Sequence, residues 1–156
     1  MGELLKLLPP APMYSIILEK YASEEDAERN LNNISMRMTR LCKKKFPSIS
    51  FYAVTSKTSG KNARKTIVKT GRRGRPKLSI TGDKALPHIH IAVYGEKSAT
   101  FCKRFTSSIN RKAGKIIAKY EKVDVDIAFL GYIYRQGYMV RKYGALDFDA
   151  ILDIVA

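Results

Sequence analysis

The chain has no long apolar run and no convincing secretory signal pattern. No stretch reaches the roughly 20 apolar residues that a bilayer-spanning helix needs. Its one N-terminal apolar patch, Leu4, Leu5, Leu7 and Leu8, stops at Pro9-Pro10. An intracellular protein with no membrane partner is therefore expected. Cysteine is scarce too. Cys42 and Cys102 fall inside predicted helices, lack metal-ligand spacing and give no support to a disulfide framework. Acid is under-represented: 14 Asp and Glu stand against 29 Lys and Arg, a net charge of +15 in 156 residues. That excess favours a polyanion as partner. The basic residues are spread along the chain and no amphipathic basic helix stands out, so nucleic acid is favoured over an anionic surface. With 45 % hydrophobic residues the chain is not a disordered tail, and its length suits one domain with a proper core.

Histidine is the rarest of the chemically active residues, and its placement organises the rest. The only two, His88 and His90, stand in the alternating segment 86–95, Leu-Pro-His-Ile-His-Ile-Ala-Val-Tyr-Gly. In an extended strand, side chains i and i+2 share a face. His88, His90, Ala92 and Tyr94 then point one way; Ile89, Ile91 and Val93 point the other, toward a core. Two imidazoles one strand-repeat apart can grip one ion or one phosphate. An ordinary polar strand face is the plain alternative.

Residues 13–21 read as a first strand, with Tyr14, Ile16 and Leu18 on one face and Ile17 on the other. Ser23 opens a helix in a capping-box-like Ser-x-x-Asp start, with Glu24, Glu25 and Asp26 in its first turn. Ala27, Leu31, Ile34, Met38 and Leu41 give it a buried stripe; Lys43-Lys44-Lys45 and Pro47 mark its end. A second strand is expected over 49–55. From 56 to 84 the composition shifts to Lys, Arg, Gly, Ser and Thr, with Thr66-Ile67-Val68 as the only apolar island, so a long hairpin or a mobile loop is expected. Inside it, Arg73-Gly74-Arg75-Pro76 looks like an AT-hook, a short arm for a narrow minor groove. Arg72, Arg73, Arg75 and Lys77 are accordingly candidate DNA contacts; a generic basic loop would also supply phosphate contacts. After the histidine strand, a helix is expected over 98–120, burying Phe101, Phe105, Ile109, Ala113, Ile116 and Tyr120 and displaying a basic face. Lys103 and Arg111 on that face join the candidate DNA contacts. A strand over 123–127, a helix over 128–136 closed by Gly137, a strand over 138–143 and a short helix within 147–156 complete the chain. The expected class is α+β: one mainly antiparallel sheet of about five strands, ferredoxin- or RRM-like, with helices on one face.

The helix over 128–136 carries Tyr132-Ile133-Tyr134-Arg135-Gln136-Gly137. On it Tyr132, Arg135 and Gln136 share a face. A cation one turn from a phenol favours the phenolate and hence nucleophilic attack. Amphipathic core-edge tyrosines are the plain alternative, since the chain has nine tyrosines. Two histidines on a sheet, a helical tyrosine with a basic neighbour and high positive charge together suit phosphodiester cleavage. There a cation withdraws charge from the phosphate and a nucleophile approaches in line from a separate element.

On these residues the chain resembles the HUH endonucleases, named for a histidine–hydrophobic–histidine strand, and especially the rolling-circle replication initiators (Rep proteins) of small single-stranded DNA viruses and plasmids. Leu86-Pro87-His88-Ile89-His90-Ile91 is similar to the family's metal strand. Tyr132 to Gly137 is similar to its Tyr-x-x-Lys motif with a trailing Gly, with Arg135 where Lys is usual. The resemblance covers 13–144, with 56–84 as an insertion in a single nuclease domain spanning 1–156. It implies metal-dependent nicking and joining at a single-stranded or hairpin origin: His88 and His90 would hold Mn²⁺ or Mg²⁺, Tyr132 would form a 5′-phosphotyrosine intermediate, and Arg135 would position the phosphate or the tyrosine. Many relatives supply a third acidic or polar metal ligand from the preceding strand. Residues 49–55 hold no carboxylate, and Asp83, Glu19 and water stay open. Tyr134 and Tyr138 are rival nucleophiles. No P-loop is present, so a helicase would be a separate domain or protein, alongside host replication proteins as partners. The expected location is cytoplasmic in a prokaryotic host and nuclear for a eukaryotic virus.

Two other readings compete. An IS200/IS605-like HUH transposase would use the same metal pair and tyrosine. A non-enzymatic RRM-like module would stack bases on Tyr52 and Tyr94 and leave the histidine pair as chance. A histidine-triad hydrolase would need a third histidine at Ala92.

Overall fold

The computed structural model describes residues 6–19, 21–58, 63–68 and 77–155. Its elements run β1 (Met13–Leu18), α1 (Glu24–Lys45), β2 (Ser50–Thr58), β3 (Arg64–Val68), β4 (Lys77–Thr81), β5 (Lys84–Tyr94), α2 (Ser98–Ala113), β6 (Ala118–Lys122), α3 (Asp126–Gln136), β7 (Met139–Tyr143) and α4 (Phe148–Val155). The class is α+β. Five strands form an antiparallel sheet in the order β6-β1-β5-β2-β7, and β3 and β4 pair as a separate two-stranded ribbon. The histidine strand β5 is the middle strand, so its backbone is hydrogen-bonded on both edges.

Alternation along the strands divides the core in two. Ile16 and Leu18 of β1, Phe51 and Ala53 of β2, and Ile89, Ile91 and Val93 of β5 pack with Leu31, Ile34, Met38 and Cys42 of α1 and Phe101, Cys102, Phe105 and Ile109 of α2. On the opposite face Met13, Tyr52, Val54, Ala92 and Tyr94 pack with Leu130 and Ile133 of α3 and Phe148, Ile151 and Leu152 of α4. Helices thus cover both faces of the sheet, where the sequence reading had placed them on one. A central strand whose two faces are both needed for cores explains why β2 is buried nearly throughout. Both cysteines are free and buried, and serve as small apolar packing groups.

The start of α1 is as its sequence reads. Ser23 is the N-cap, its hydroxyl accepting from the Asp26 amide at 3.2 Å, with three acids in the first turn and three lysines in the last. Its stripe ends on Cys42, with Leu41 only half-buried.

The expected helix over 98–120 is the main correction. It stops at Ala113, and Ala118–Lys122 is edge strand β6. Gly114, at φ +72°, takes the left-handed cap position that favours glycine. Asn110 then braces the turn: its side-chain oxygen accepts from the amides of Ile117 and Ala118, each at 2.8 Å, and its amide donates to the Ala118 carbonyl at 2.9 Å. Three hydrogen bonds from one side chain outweigh a continuing helical pattern. Ile116 and Tyr120, expected to be buried, are 74 % and 38 % exposed. The strand expected over 123–127 is displaced with it, since α3 already begins at Asp126. The histidine strand begins earlier than expected, at Lys84, and β2 runs on to Thr58 through a register shift between Ser56 and Thr58. Between those two strands, Arg64–Val68 and Lys77–Thr81 pair antiparallel as the β3–β4 ribbon, in keeping with the hairpin alternative.

Candidate active site

The α3/α4 face of the sheet brings the two sequence motifs together. His88 and His90 leave β5 on this face with ring centroids 4.8 Å apart, edge to face at 84°. Both are buried. His88 Nδ1 lies 2.7 Å from the Leu86 carbonyl. A carbonyl only accepts, so Nδ1 carries a proton and Nε2 is the nitrogen left to face a ligand. Burial, with the neighbouring His88 as a second cause, pushes the His90 pKa down to about 3. His90 is therefore neutral at physiological pH, the form in which imidazole ligates a metal.

Across the strand pairs, His90 is flanked by Ile17 of β1 and Val54 of β2, and His88 by Ser56 of β2. No carboxylate stands in these positions. Among the described residues no third His, Cys, Asp or Glu joins the pair in a group that could hold a metal, so neither Glu19 nor Asp83 completes such a group. Two adjacent imidazoles fit a divalent transition ion such as Mn²⁺ better than Mg²⁺, which prefers oxygen. Water or a phosphate oxygen would have to fill the remaining positions.

Tyr132 comes from α3. Its ring stands edge to face with His90, centroids 5.8 Å apart at 85°, and lies beside Phe129 at 6.3 Å. Neither rival tyrosine is placed this way. Tyr134 lies beneath the Lys65 ammonium, 4.2 Å from the ring centroid, and Lys65 also donates to the Tyr134 carbonyl at 3.1 Å. Tyr138 donates its hydroxyl to the Ile80 carbonyl at 3.1 Å, beneath Lys57. Both are engaged with the β3–β4 ribbon or the strand leading to it. Burial lowers the Lys65 pKa.

Arg135 stands in the last turn of α3. It has no hydrogen bond or ion pair with any described residue, and its Nη1 lies 3.3 Å from where a Cβ on Gly131 would stand. The guanidinium thus folds back over Gly131, one turn earlier on its own side of the helix.

Gln136, one turn on from Tyr132, is the buried polar side chain of this helix. It is 0 % exposed, and the Ser56 hydroxyl donates to its Oε1 at 2.9 Å. Its Nε2 is buried with no hydrogen-bond partner among the described residues. Sequence reasoning grouped Gln136 with Tyr132 on one face but gave it no role. The available signal was a neutral amide at i+4 from the tyrosine, on the face turned to the sheet. The helix approaches closely here because of Gly137: a Cβ at that position would lie 2.8 Å from Val54 Cγ1.

The candidate DNA contacts scatter. Arg72, Arg73 and Arg75 lie outside the described residues, and Lys77 opens β4. Lys103 and Arg111 are exposed on α2, across the sheet from the histidines.

Comparison of the chain with protein-family models, with curated proteins and with solved structures finds no match.

Proposed function

We propose that this protein nicks and rejoins single-stranded DNA at a replication origin, as a Rep-like HUH endonuclease. The observation that carries the reading is the meeting of His88, His90 and Tyr132 from two distant segments on one face of the sheet. A divalent metal held by His88 and His90 would withdraw charge from the scissile phosphate. The Tyr132 oxygen, having given up its proton to solvent or to a base on the DNA side, attacks phosphorus. The P–O3′ bond breaks, the 3′ oxygen takes a proton, and the 5′ phosphate stays on Tyr132. Reversal by a 3′-hydroxyl rejoins the strand. Arg135, with no hydrogen bond or ion pair among the described residues, would bind a DNA phosphate.

Incubation with a pool of single-stranded DNA and Mn²⁺, followed by denaturing gels, tests this. A protein–DNA adduct that disappears with EDTA, with His90→Ala and with Tyr132→Phe is expected. DNA retention without an adduct, on a pool covering hairpin and linear origins, would favour a non-catalytic binding module.

A further inference from the structure

A second feature lies across the sheet from the histidines. A cavity of about 400 Å³ opens between α1 and the end of α2. Its floor is apolar, with Ile34, Ile109 and Ile117. Its rim carries Arg37, Arg40 and Lys112, and no carboxylate among the described residues lines it. Arg37 is held in place: its guanidinium donates to the Ser108 hydroxyl at 3.2 Å and lies over the Phe105 ring at 5.7 Å. Arg40 and Lys112 are exposed on either side of the opening. Three cations around one apolar hollow, in a chain of net charge +15, repel one another unless an anion joins them.

We infer that this cavity binds a nucleoside phosphate, base against the isoleucine floor and phosphates between Arg37, Arg40 and Lys112. The volume lies in the roughly 300–1,000 Å³ range of small-molecule sites and is too small for a peptide helix. A purely anionic ligand would leave the floor wet, and a purely apolar one would leave the cations unpaired. A planar base joined to phosphate satisfies both. Asn33 and, one turn earlier, Asn30, whose amide nitrogen also donates to the Asp26 carbonyl at 2.7 Å, line the same wall and offer polar groups to a base edge. Tyr21 lines the same space as a neutral phenol, its pKa pushed up to about 12 by burial. The proposal is independent of the nicking reading, because it uses no residue of that site.

The test uses the full chain in EDTA, so that a metal at the histidines contributes nothing. N-methylanthraniloyl-dATP is titrated by fluorescence, and unlabelled dATP by amide chemical shifts. Saturable binding is expected, with shifts at Asn30, Asn33, Ile109 and Lys112. Arg40→Glu and Lys112→Glu, both at exposed positions, should each weaken it about tenfold or more, a lost charge-assisted contact. Arg104→Glu, the same charge change at an exposed α2 position outside the cavity lining, should leave it unaltered. Inorganic triphosphate should bind at least tenfold more weakly than dATP. A short oligothymidylate run in parallel separates the two sources of the same chemistry: tighter binding of dATP assigns a free nucleotide, tighter binding of the oligomer one residue of a strand. The proposal is overturned by absence of saturable binding of either probe. It is also overturned by shifts confined to the His88–Tyr132 face, by equal binding in the Arg40 and Lys112 variants, or by triphosphate matching dATP.

Discussion

The His90 imidazole stands edge-on to the Tyr132 phenol, ring centroids 5.8 Å apart, although 42 positions separate them in the chain. Neither residue is held by the other alone. His90 is fixed by a central strand bonded on both sides, and Tyr132 by a helix that α4 and the sheet pin from two directions.

That placement separates the three tyrosines. Tyr132→Phe keeps the edge-to-face ring contact and removes only the hydroxyl, so thermal unfolding should move by no more than a few degrees while adduct formation is lost. Tyr134→Phe should leave the adduct in place. Tyr138→Phe loses its bond to the Ile80 carbonyl and should cost about 1 kcal/mol of stability with the adduct retained. Denaturing gels and urea melts on the three variants check both halves.

The neutral state of His90 sets a pH dependence in the metal-free protein. Its folded pKa of about 3 lies below the unfolded value of about 6.5, so the unfolded chain binds the extra proton between the two. This contribution is fully present above pH 6.5 and is lost as pH falls toward 3, with a slope approaching about 1.4 kcal/mol per pH unit. Urea unfolding at pH 7, 5.5 and 4 should show the decline, and His90→Gln should flatten it.

Gly137 allows α3 to close on β2. Gly137→Ala puts a methyl 2.8 Å from Val54 Cγ1, a contact that must be relieved by moving the helix end. A loss of about 1–3 kcal/mol is expected. Because the displaced end carries Gln136 and Tyr132, adduct formation should fall by more than the stability change explains. Gly137→Ala combined with Val54→Ala should restore part of both, which a melt and an adduct time course would record.

The buried Ser56–Gln136 pair should behave asymmetrically. Ser56→Ala leaves a buried amide without its remaining partner and should cost about 1–3 kcal/mol. Gln136→Met in the same background removes the stranded amide at similar volume and should recover most of that loss. Chemical denaturation of the two single variants and the double variant measures the coupling.

Much of the fold is legible because it is locally written. The capped start of α1, the alternation of β5 and the Gly-terminated α3 each follow from residues within a few positions of one another. The failure at 114–120 has a physical cause. Ile116 and Tyr120 continue a helical spacing, but Gly114 and the three hydrogen bonds of Asn110 turn the chain, and β6 finds its partner in β1, about a hundred residues earlier. Periodicity reports neither a cap nor a distant strand partner.

The candidate site divides the same way. The sequence by itself determined that His88 and His90 share a strand face, that Tyr132 and Gln136 share a helix face, and that the chain carries a large positive charge, because spacing in a regular element dictates side-chain direction. Only the tertiary structure decided that the two faces meet, that helices cover both sides of the sheet, that Tyr132 rather than Tyr134 or Tyr138 reaches His90, and that Arg135 lies over Gly131. Those outcomes depend on strand order and on how closely α3 can approach β2. Both are set by contacts between segments far apart in the chain, which no local pattern encodes.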